Sequence, residues 1–338
     1  MIKRIGFILL LMMAVMPAAE PAKAKLLPLS GPYLGQTPPG AEPRLFASGI
    51  VNTGLFTRDV AMTPDGKEIY FCSTIDYVYS TILVTRQVDG FWTEPEVMEH
   101  MENPDILNFE PCISPDGQKF FFLSTRPDNA RGETKAGDQD IWVMERQGAG
   151  WGEPYNLGEP VNTAAGEFYP SLTRDHTLYF TRSQDDRNEI FRSRLVDGRY
   201  QSVEKLPVQV NSGQAQYNAF ITPDESFLIV PTFGRKDSLG GTDYYIIFHN
   251  ADDTWDEPVN LGPTINTPGN QEYSASLSAD GRYLFFMSAR RPQGEQAPKN
   301  LTREWLLRLH NQAPNGRPAI WWVESSFLND LKKKTTAP

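Results

Sequence analysis

Four acidic residues each stand just before one of the short apolar runs that recur along this chain: Asp59, Glu110, Glu167 and Glu272. Two carboxylates at a suitable separation can act as acid and base in the cleavage of a glycosidic bond. Asp59, Glu110 and Glu272 are the candidates for such a set, so a carbohydrate-active hydrolase or lyase is one functional hypothesis. Acids are common on solvated surfaces. We therefore assign no catalytic residue and favour binding without chemistry.

Arginine and aromatic residues accompany these acids and indicate a ligand-binding site. The fold predicted below places this site at the mouth of a central channel. Arginine can hold a carboxylate through two parallel hydrogen bonds, and aromatic rings can stack on a sugar or a peptide side chain. The ligand would be a protein, a peptide or a glycan. The predicted ligand-binding residues are Arg58, Asp59, Glu110, Arg126, Glu167, Tyr169, Arg182, Asn218, Arg235, Glu272, Tyr273 and Arg290.

A structural role is the alternative for residues that recur at equivalent positions. A feature that repeats with the fold usually serves the fold, so each arginine would pair with a nearby acid and hold a loop. This alternative applies to Arg126, Arg182 and Arg290, and to the acids Asp140, Glu189 and Asp243. Departures from the repeat are more informative. Arg58 and Asp59 stand where the other copies have an aromatic residue first.

Other kinds of chemistry lack a motif in this sequence. The four histidines are scattered and match no metal spacing. There is no G-x-S-x-G elbow and no P-loop. The aspartate-rich stretches lack the pattern of a calcium loop. We therefore expect no metal and no cofactor.

The apolar runs belong to a repeat that occurs five times. Each copy has an apolar strand, a turn with an aspartate and a second apolar strand, as in "CISPDGQKFFFLSTRP". A third strand such as "DIWVM" and a fourth such as "WGEPYNLGEPVNT" follow. The turn aspartates, which recur about every 50 residues, are Asp65, Asp116, Asp175, Asp224 and Asp280. Four antiparallel strands at this period predict an all-β fold, the β-propeller.

The two ends of the chain predict how the ring closes. The fifth repeat lacks a fourth strand, and the segment 41–53, "AEPRLFASGIVNT", matches the fourth strand of other repeats in its Glu-Pro and its Val-Asn-Thr. We therefore predict five four-stranded antiparallel blades, closed by an N-terminal strand that completes the last blade. Six blades are the alternative, which needs more than one strand before Leu55.

The "SPDG" turn, the "DIW" strand and "W-x-EP-x-NLG-x-x-VNT" resemble the TolB-type, WD40-like propeller repeat. The stretches 33–54 and 234–245 further resemble a group of exported bacterial propellers. This resemblance covers nearly all of the chain after its first residues and implies the fold. It implies no particular activity, because propellers serve as scaffolds for many functions.

Composition and the N-terminus indicate where the protein acts. A net charge of −10 argues against nucleic acid and against anionic lipid as partners. Lys3 and Arg4, an apolar run and "AKA" at 22–24 predict a secretory signal, with an uncleaved anchor as the alternative. We expect a monomer in the periplasm or outside the cell, with no membrane span in the mature chain. Cys72 and Cys112 are expected as buried thiols, and a bond between them stays open.

The predicted organisation is a signal peptide at 1–24, an N-terminal segment with the closing strand at 25–57, blades at 58–331 and a tail at 332–338. Three insertions join second and third strands, at 127–139, 234–242 and 292–318. In the longest, Asn300 is predicted to cap a short helix with Leu301, Trp305 and Leu309 on one stripe. That helix would either cover the channel mouth or pack on the ring.

Overall fold

The structure is a computed structural model that describes residues 24–128, 131–133, 135–268, 272–291 and 298–335. The predicted signal peptide lies outside this part of the chain, except for its last residue. Within the described residues, antiparallel sheets form five blades around a central channel. This arrangement confirms the predicted five-bladed β-propeller.

The strands follow the predicted order within each blade. Two strands precede the blades: β1 (Leu26–Ser30) and β2 (Arg44–Leu45). The first blade contains β3 (Phe56–Met62), β4 (Glu68–Ile75), β5 (Tyr79–Val88), β6 (Phe91–Thr93) and β7 (Glu96–Val97). The second contains β8 (Asn108–Ile113), β9 (Lys119–Ser124), β10 (Asp140–Gln147), β11 (Gly150–Trp151) and β12 (Tyr155–Asn156). The third contains β13 (Gly166–Leu172), β14 (Leu178–Gln184), β15 (Arg187–Ser193), β16 (Leu195–Val196), β17 (Arg199–Tyr200) and β18 (Glu204–Lys205).

The last two blades keep the same pattern. The fourth contains β19 (Ala215–Gln216), β20 (Phe220–Ile221), β21 (Phe227–Phe233), β22 (Thr242–Phe248) and β23 (Val259–Asn260). The fifth contains β24 (Glu272–Leu277), β25 (Tyr283–Ser288) and β26 (Ala319–Glu324), and β2 pairs with β26 as its outer strand.

The second strand of each blade is apolar on both faces because neighbouring blades cover both. In β9, every residue from Phe120 to Ser124 is buried. The ring of Phe120 lies 4.9 Å from that of Tyr70 in the first blade and 5.3 Å from that of Trp151 in its own blade. Packing between blades therefore supplies the core that one four-stranded sheet cannot bury alone.

The ring closes as the sequence predicts. In β2, Arg44 and Leu45 pair with Trp322 and Trp321 of β26. Behind this strand, Asn52 donates to the carbonyl of Ile320 and accepts from its amide, both at 2.9 Å. The six-blade alternative is wrong, because β2 alone completes the fifth blade. The first N-terminal strand, β1, pairs instead with β6 of the first blade, so the N-terminal segment joins the two blades on either side of the closure.

The asparagine of the Val-Asn-Thr motif holds the third strand in other blades too. Asn162 bonds the carbonyl of Ile141 at 2.8 Å and its amide at 3.0 Å. Asn266 bonds the carbonyl of Tyr244 at 3.0 Å and its amide at 2.8 Å. The motif therefore recurs because each copy anchors a third strand.

Two α-helices lie in the C-terminal part of the chain, and a short 3-10 turn spans Tyr33–Gly35. Helix α1 covers Arg303–His310, and its N-cap is Thr302, whose side chain accepts from the amide of Trp305 at 3.1 Å. The prediction of Asn300 as the cap is therefore wrong by two residues. Helix α2, Phe327–Thr335, follows β26 and packs Leu328 into the core between the fourth and fifth blades.

Candidate functional site

The innermost strand of every blade carries one residue in the left-handed region of backbone space. These five residues, called the bulge ring below, are Asp59, Glu110, Tyr169, Asn218 and Ser274, with φ between 53° and 68°. In β3, β8, β13 and β24 the pairing register shifts at this point, as at a β-bulge. In the fourth blade Asn218 lies in the three-residue break between β19 and β20. Positive φ is uncommon for such residues and marks a position under structural or functional constraint.

The bulge ring brings side chains from different blades into contact on the channel axis. Asn218 Nδ2 lies 3.1 Å from Ser274 Oγ and 3.4 Å from Glu110 Oε1. Tyr169 donates its amide to Glu110 Oε2 at 2.7 Å and its hydroxyl to the carbonyl of Ala275 at 2.8 Å. The ring therefore forms a polar layer that divides the channel in two.

Arg58 is the cation at the centre of this layer and is only 6% exposed. Its Nη2 donates to Glu110 Oε1 at 2.7 Å, and its Nε lies 2.6 Å from Asp59 Oδ2. Burial lowers the pKa of Arg58, but Asp59 and Glu110 outweigh it and hold that pKa well above its usual value. The guanidinium also lies 4.8 Å from the ring centre of Tyr273, a cation–π contact.

Glu110 accepts hydrogen bonds on both oxygens yet resists ionisation. Burial raises its pKa to about 7; Arg58 opposes this rise and the Asp59 carboxylate adds to it. Two carboxylates around one arginine give the cluster a formal charge of −1 when both are ionised. Glu110 therefore keeps its proton to a higher pH than an ordinary glutamate does.

Asp59 differs from Glu110 because it lacks hydrogen bonds. It is 4% exposed, and neither carboxylate oxygen has a hydrogen-bond partner within the described part of the chain. The contact with Arg58 Nε is an ion pair whose alignment falls outside hydrogen-bond geometry. A buried carboxylate in this state carries a large desolvation cost.

On one side of the bulge ring, the channel opens into a cavity of about 430 Å³, called the collar cavity below. The residue before the bulge residue is aromatic in four blades, and these rings line the cavity: Phe109, Phe168, Tyr217 and Tyr273. Arg58 takes this position in the first blade. Tyr77, at the tip of the β4–β5 hairpin, adds a fifth ring and bonds Tyr273 through the two hydroxyls at 3.2 Å.

On the opposite side lies a cavity of about 280 Å³, called the turn-side cavity below. The turns between first and second strands form its rim, and Asp59, Glu110 and Tyr169 reach it from the bulge ring. Its walls are mainly apolar. Glu110 lines both cavities, so it belongs to the partition between them.

Half of the predicted ligand-binding residues line one of the two channel cavities, and the other half lie outside both. Arg58, Glu110, Asn218 and Tyr273 line the collar cavity, while Asp59 and Tyr169 line the turn-side cavity. The remaining six line neither cavity: Arg126, Glu167, Arg182, Arg235, Glu272 and Arg290.

The three recurring arginines anchor loops. Arg126 donates to the carbonyl of His100 at 3.1 Å. Arg182 donates to Glu167 at 2.7 Å and to the carbonyl of Val161 at 2.8 Å. Arg290 donates to the carbonyl of Thr264 at 3.0 Å. Each arginine thus ties the loop that follows an outer strand to the end of a second strand, as the structural alternative expects. Among the described residues, the acid partner that this alternative expects is present only for Arg182, which pairs with Glu167.

The remaining polar candidates are also engaged locally. Glu272 accepts from Thr267 at 2.6 Å and from Ser288 at 3.0 Å. Arg235 pairs with Asp237 at 3.0 Å. The third-strand acids bond neighbours too: Asp140 with Arg131, Glu189 with Lys205 and Asp243 with Asn260. The hypothetical catalytic set of Asp59, Glu110 and Glu272 is therefore not assembled in one cavity.

The prediction missed five residues of the channel. Phe109, Phe168, Tyr217 and Ser274 occupy positions of the repeat that align with Arg58, Glu110, Asn218 and Tyr273. Their alignment was the signal that could have found them. Tyr77 had no such signal, because its hairpin tip has no counterpart in the other repeats.

The described residues contain neither a membrane-spanning helix nor a candidate metal site. No helix there is long and apolar enough to cross a membrane. No group of three or more His, Cys, Asp or Glu side chains could hold a metal ion in that same part of the chain. Both cysteines are free thiols, and Cys72 accepts the amide of Glu110 at 3.2 Å beneath the bulge ring.

No protein-family model matches the sequence, and no curated protein matches it. Several solved structures do resemble the chain. TolB of Acinetobacter baumannii is 16% identical, with a TM-score of 0.46, over 80% of this chain and 54% of that one. A putative TolB of Agrobacterium tumefaciens is 14% identical, with a TM-score of 0.45, over 79% of this chain and 90% of that one. Arabinanase Arb43A of Bacillus subtilis is 13% identical, with a TM-score of 0.48, over 80% and 94%.

The chain spans about half the length of the first of these structures. At these identities and TM-scores the similarities carry no argument about activity. The five blades make this chain a β-propeller, and its repeat motifs resemble those of the TolB type.

Proposed function

We propose that this protein is an exported binding scaffold that holds a protein segment, a peptide or a glycan in its collar cavity and performs no chemistry there. One observation carries the proposal. Aromatic rings from every blade converge on the cavity, while Arg58 occupies the carboxylates beneath them. A concave aromatic surface with a few fixed polar groups is the usual form of a ligand site.

The polar groups of the collar cavity suit recognition rather than catalysis. Arg58, Asn188, Asn218 and Gln139 supply its polar edge. Glu110 Oε1 accepts from Arg58, and Glu110 Oε2 accepts from a backbone amide, so both oxygens are already engaged. A general acid or base has to reach the reacting atom with a free oxygen. The collar cavity therefore offers stacking and hydrogen bonding to a ligand.

The surface beside the cavity favours a protein or peptide over a glycan. The β4–β5 hairpin carries Tyr77 into the cavity and leaves Ile75, Val78 and Tyr79 at least half exposed. An exposed apolar cluster next to a concave site is typical of a protein-binding surface. Export rests on the N-terminal sequence, and we expect the protein to act as a monomer in the periplasm or beyond the cell.

A carbohydrate-active hydrolase or lyase is the second candidate. The raised pKa of Glu110 favours it, because a carboxyl group that titrates near neutral pH can serve as a general acid. Its partner carboxylate would be Asp59, which lacks hydrogen bonds. Glu272 takes no part, since it lies outside both cavities.

A thermal-shift screen of the chain from Lys25 onward tests the proposal, with peptide and oligosaccharide libraries as probes. A ligand at 100 times its dissociation constant adds about 2.7 kcal/mol to the free energy of unfolding. Each ligand found is then incubated with the protein and weighed by mass spectrometry. Recovery of the intact ligand supports a binding scaffold. Cleavage that is lost in Asp59→Asn and Glu110→Gln would establish the hydrolase instead.

A further inference from the structure

The turn-side cavity has a different chemical character from the collar cavity. Its walls are apolar and come from the inner strands of all five blades: Val60, Met62, Ile113, Leu172, Ile221 and Leu277. Exposed Pro64 and Pro223 stand at its rim, so it opens to solvent at the end of the channel opposite Tyr77. A volume of about 280 Å³ is close to the lower end of the range for small-molecule pockets. It suits one side chain or one small organic molecule.

The floor of this cavity presents a carboxylate without a hydrogen-bond donor. Asp59 lines the cavity, is 4% exposed and has no hydrogen bond on either oxygen within the described residues. Buried polar groups are nearly always hydrogen-bonded, and Asp59 has only its ion pair with Arg58 Nε, so a carboxylate in this state next to a cavity indicates a missing hydrogen-bond partner. That partner must be a donor, because an ionised carboxylate only accepts.

The local charge indicates that the donor is a cation. Arg58 contributes one positive charge against the two carboxylates of Asp59 and Glu110. At a pH above the raised pKa of Glu110 both carboxylates are ionised, and the floor then keeps one uncompensated negative charge. Among the residues that line the cavity, the only other charged side chain is Arg174, which is exposed at the rim. A ligand with one positive charge would neutralise the floor.

The walls favour an organic cation over a metal ion. Calcium takes six to eight oxygen ligands, and magnesium prefers six. The described residues contain no group of three candidate metal ligands, and the floor offers only two carboxylates. Apolar walls supply dispersion contacts to a hydrocarbon stem instead.

We propose that the turn-side cavity binds an ammonium or guanidinium group carried on an apolar stem, with Asp59 accepting its N–H groups and the inner strands packing around the stem. The same chemistry belongs to a free amine and to the lysine or arginine side chain of a peptide. This site lies at the opposite end of the channel from the collar cavity and does not depend on the function proposed there.

Calorimetric titration of the chain from Lys25 onward tests this site with benzylammonium and with benzyl alcohol, its neutral counterpart. We expect the dissociation constant for benzylammonium to be at least about tenfold lower, because charge-assisted hydrogen bonds are the stronger kind. Equal binding of the alcohol, or no binding of the amine at millimolar concentration, would overturn the proposal.

Two variants locate the binding, and a third is the matched control. Asp59→Asn should weaken amine binding about tenfold or more. Asp243→Asn also alters a buried acid that has an unbonded oxygen, but Asp243 lies outside the cavity and its variant should bind normally. Ala61→Leu narrows the cavity and leaves every charge in place, so it should also block the amine, and it decides the question if the Asp59 variant fails to fold. Unchanged binding in both cavity variants would refute the site.

Titration with two peptides identifies the source of the cation. An acetylated Gly-Lys-Gly amide is compared with its norleucine analogue, which has the same stem without the charge. Tighter binding of the lysine peptide than of benzylammonium would assign the site to a protein side chain. Binding of the free amine alone would assign it to a small molecule.

Discussion

Removal of Arg58 should destabilise the protein in a way that depends on pH. Arg58→Met keeps an unbranched stem but leaves Asp59 and Glu110 buried without their cation, which lies 2.6 and 2.7 Å from them. Breaking a buried ion pair on one side costs about 3–5 kcal/mol. We expect a loss of that order in the free energy of unfolding at pH 8.5.

The pH dependence follows from Glu110. Its pKa in the folded protein is about 7, above the ordinary 4.5, so ionisation costs stability between these values. Without Arg58 the folded-state pKa rises further, and the folded variant keeps its proton above pH 7. Each extra bound proton changes stability by about 1.4 kcal/mol per pH unit. The difference between wild type and variant should therefore grow from pH 7 to pH 8.5, by at most about 2 kcal/mol over these 1.5 pH units.

Urea unfolding followed by tryptophan fluorescence at pH 7 and pH 8.5 measures both effects. Arg194→Met is the control, because Arg194 also pairs with two acids but is 41% exposed in its side chain, where such pairs contribute at most about 1 kcal/mol. The double variant Arg58→Met with Glu110→Gln should recover part of the loss. A loss below about 1 kcal/mol at both pH values, or one that does not grow with pH, would refute the reasoning about the channel cluster.

Three further variants test other parts of the structure. Asn52→Ala removes both hydrogen bonds to Ile320 at the ring closure and should lower the free energy of unfolding in urea by about 2–4 kcal/mol. A decrease below about 0.5 kcal/mol would mean that Asn52 does not stabilise the ring closure. The free energy of unfolding of the wild type should fall as the pH rises from about 4.5 to 7, because the folded protein keeps the Glu110 proton over this range. Glu110→Gln should remove that fall and flatten the plot of stability against pH. An unchanged plot would exclude Glu110 as the source of the pH dependence. Gly54→Ala would place a methyl group against the carbonyl oxygen of His310, closer than van der Waals contact allows, so α1 should detach and become sensitive to protease. Equal protease resistance of variant and wild type would contradict this contact.

The fold was predictable because its signals are local and repeated. Each blade can be predicted without knowledge of the others. Its signals are a turn closed by an aspartate, such as Asp116 or one of its four counterparts, and strands that are apolar on both faces. The Glu-Pro and Val-Asn-Thr motifs of the segment 41–53 match those of other repeats, and together with the missing fourth strand of the fifth repeat they identify the closing strand. The pairing of β1 with the first blade was not predicted, because "LLPLS" is short and belongs to no repeat.

The candidate site was predictable only in part. Repeat alignment identified the position of Asp59, but not that all five aligned residues take positive φ, since Asp, Glu, Tyr, Asn and Ser share no strong preference for it. The burial of Arg58 also escaped prediction, because it depends on how closely five blades approach one axis. The cap at Thr302 was missed because Asn300 and Thr302 are both good N-cap residues and the sequence does not order them.

The binding of a collar ligand to two variants of one hairpin tests the central claim most directly. Tyr77 and Tyr79 are 52% and 53% exposed and lie on the same hairpin, but only Tyr77 lines the collar cavity. For a ligand from the screen, Tyr77→Ala should raise the dissociation constant about tenfold through the loss of an aromatic contact, while Tyr79→Ala should leave it within about threefold. Equal effects of the two substitutions, or none from Tyr77→Ala, would contradict the proposal that the collar cavity is the binding site.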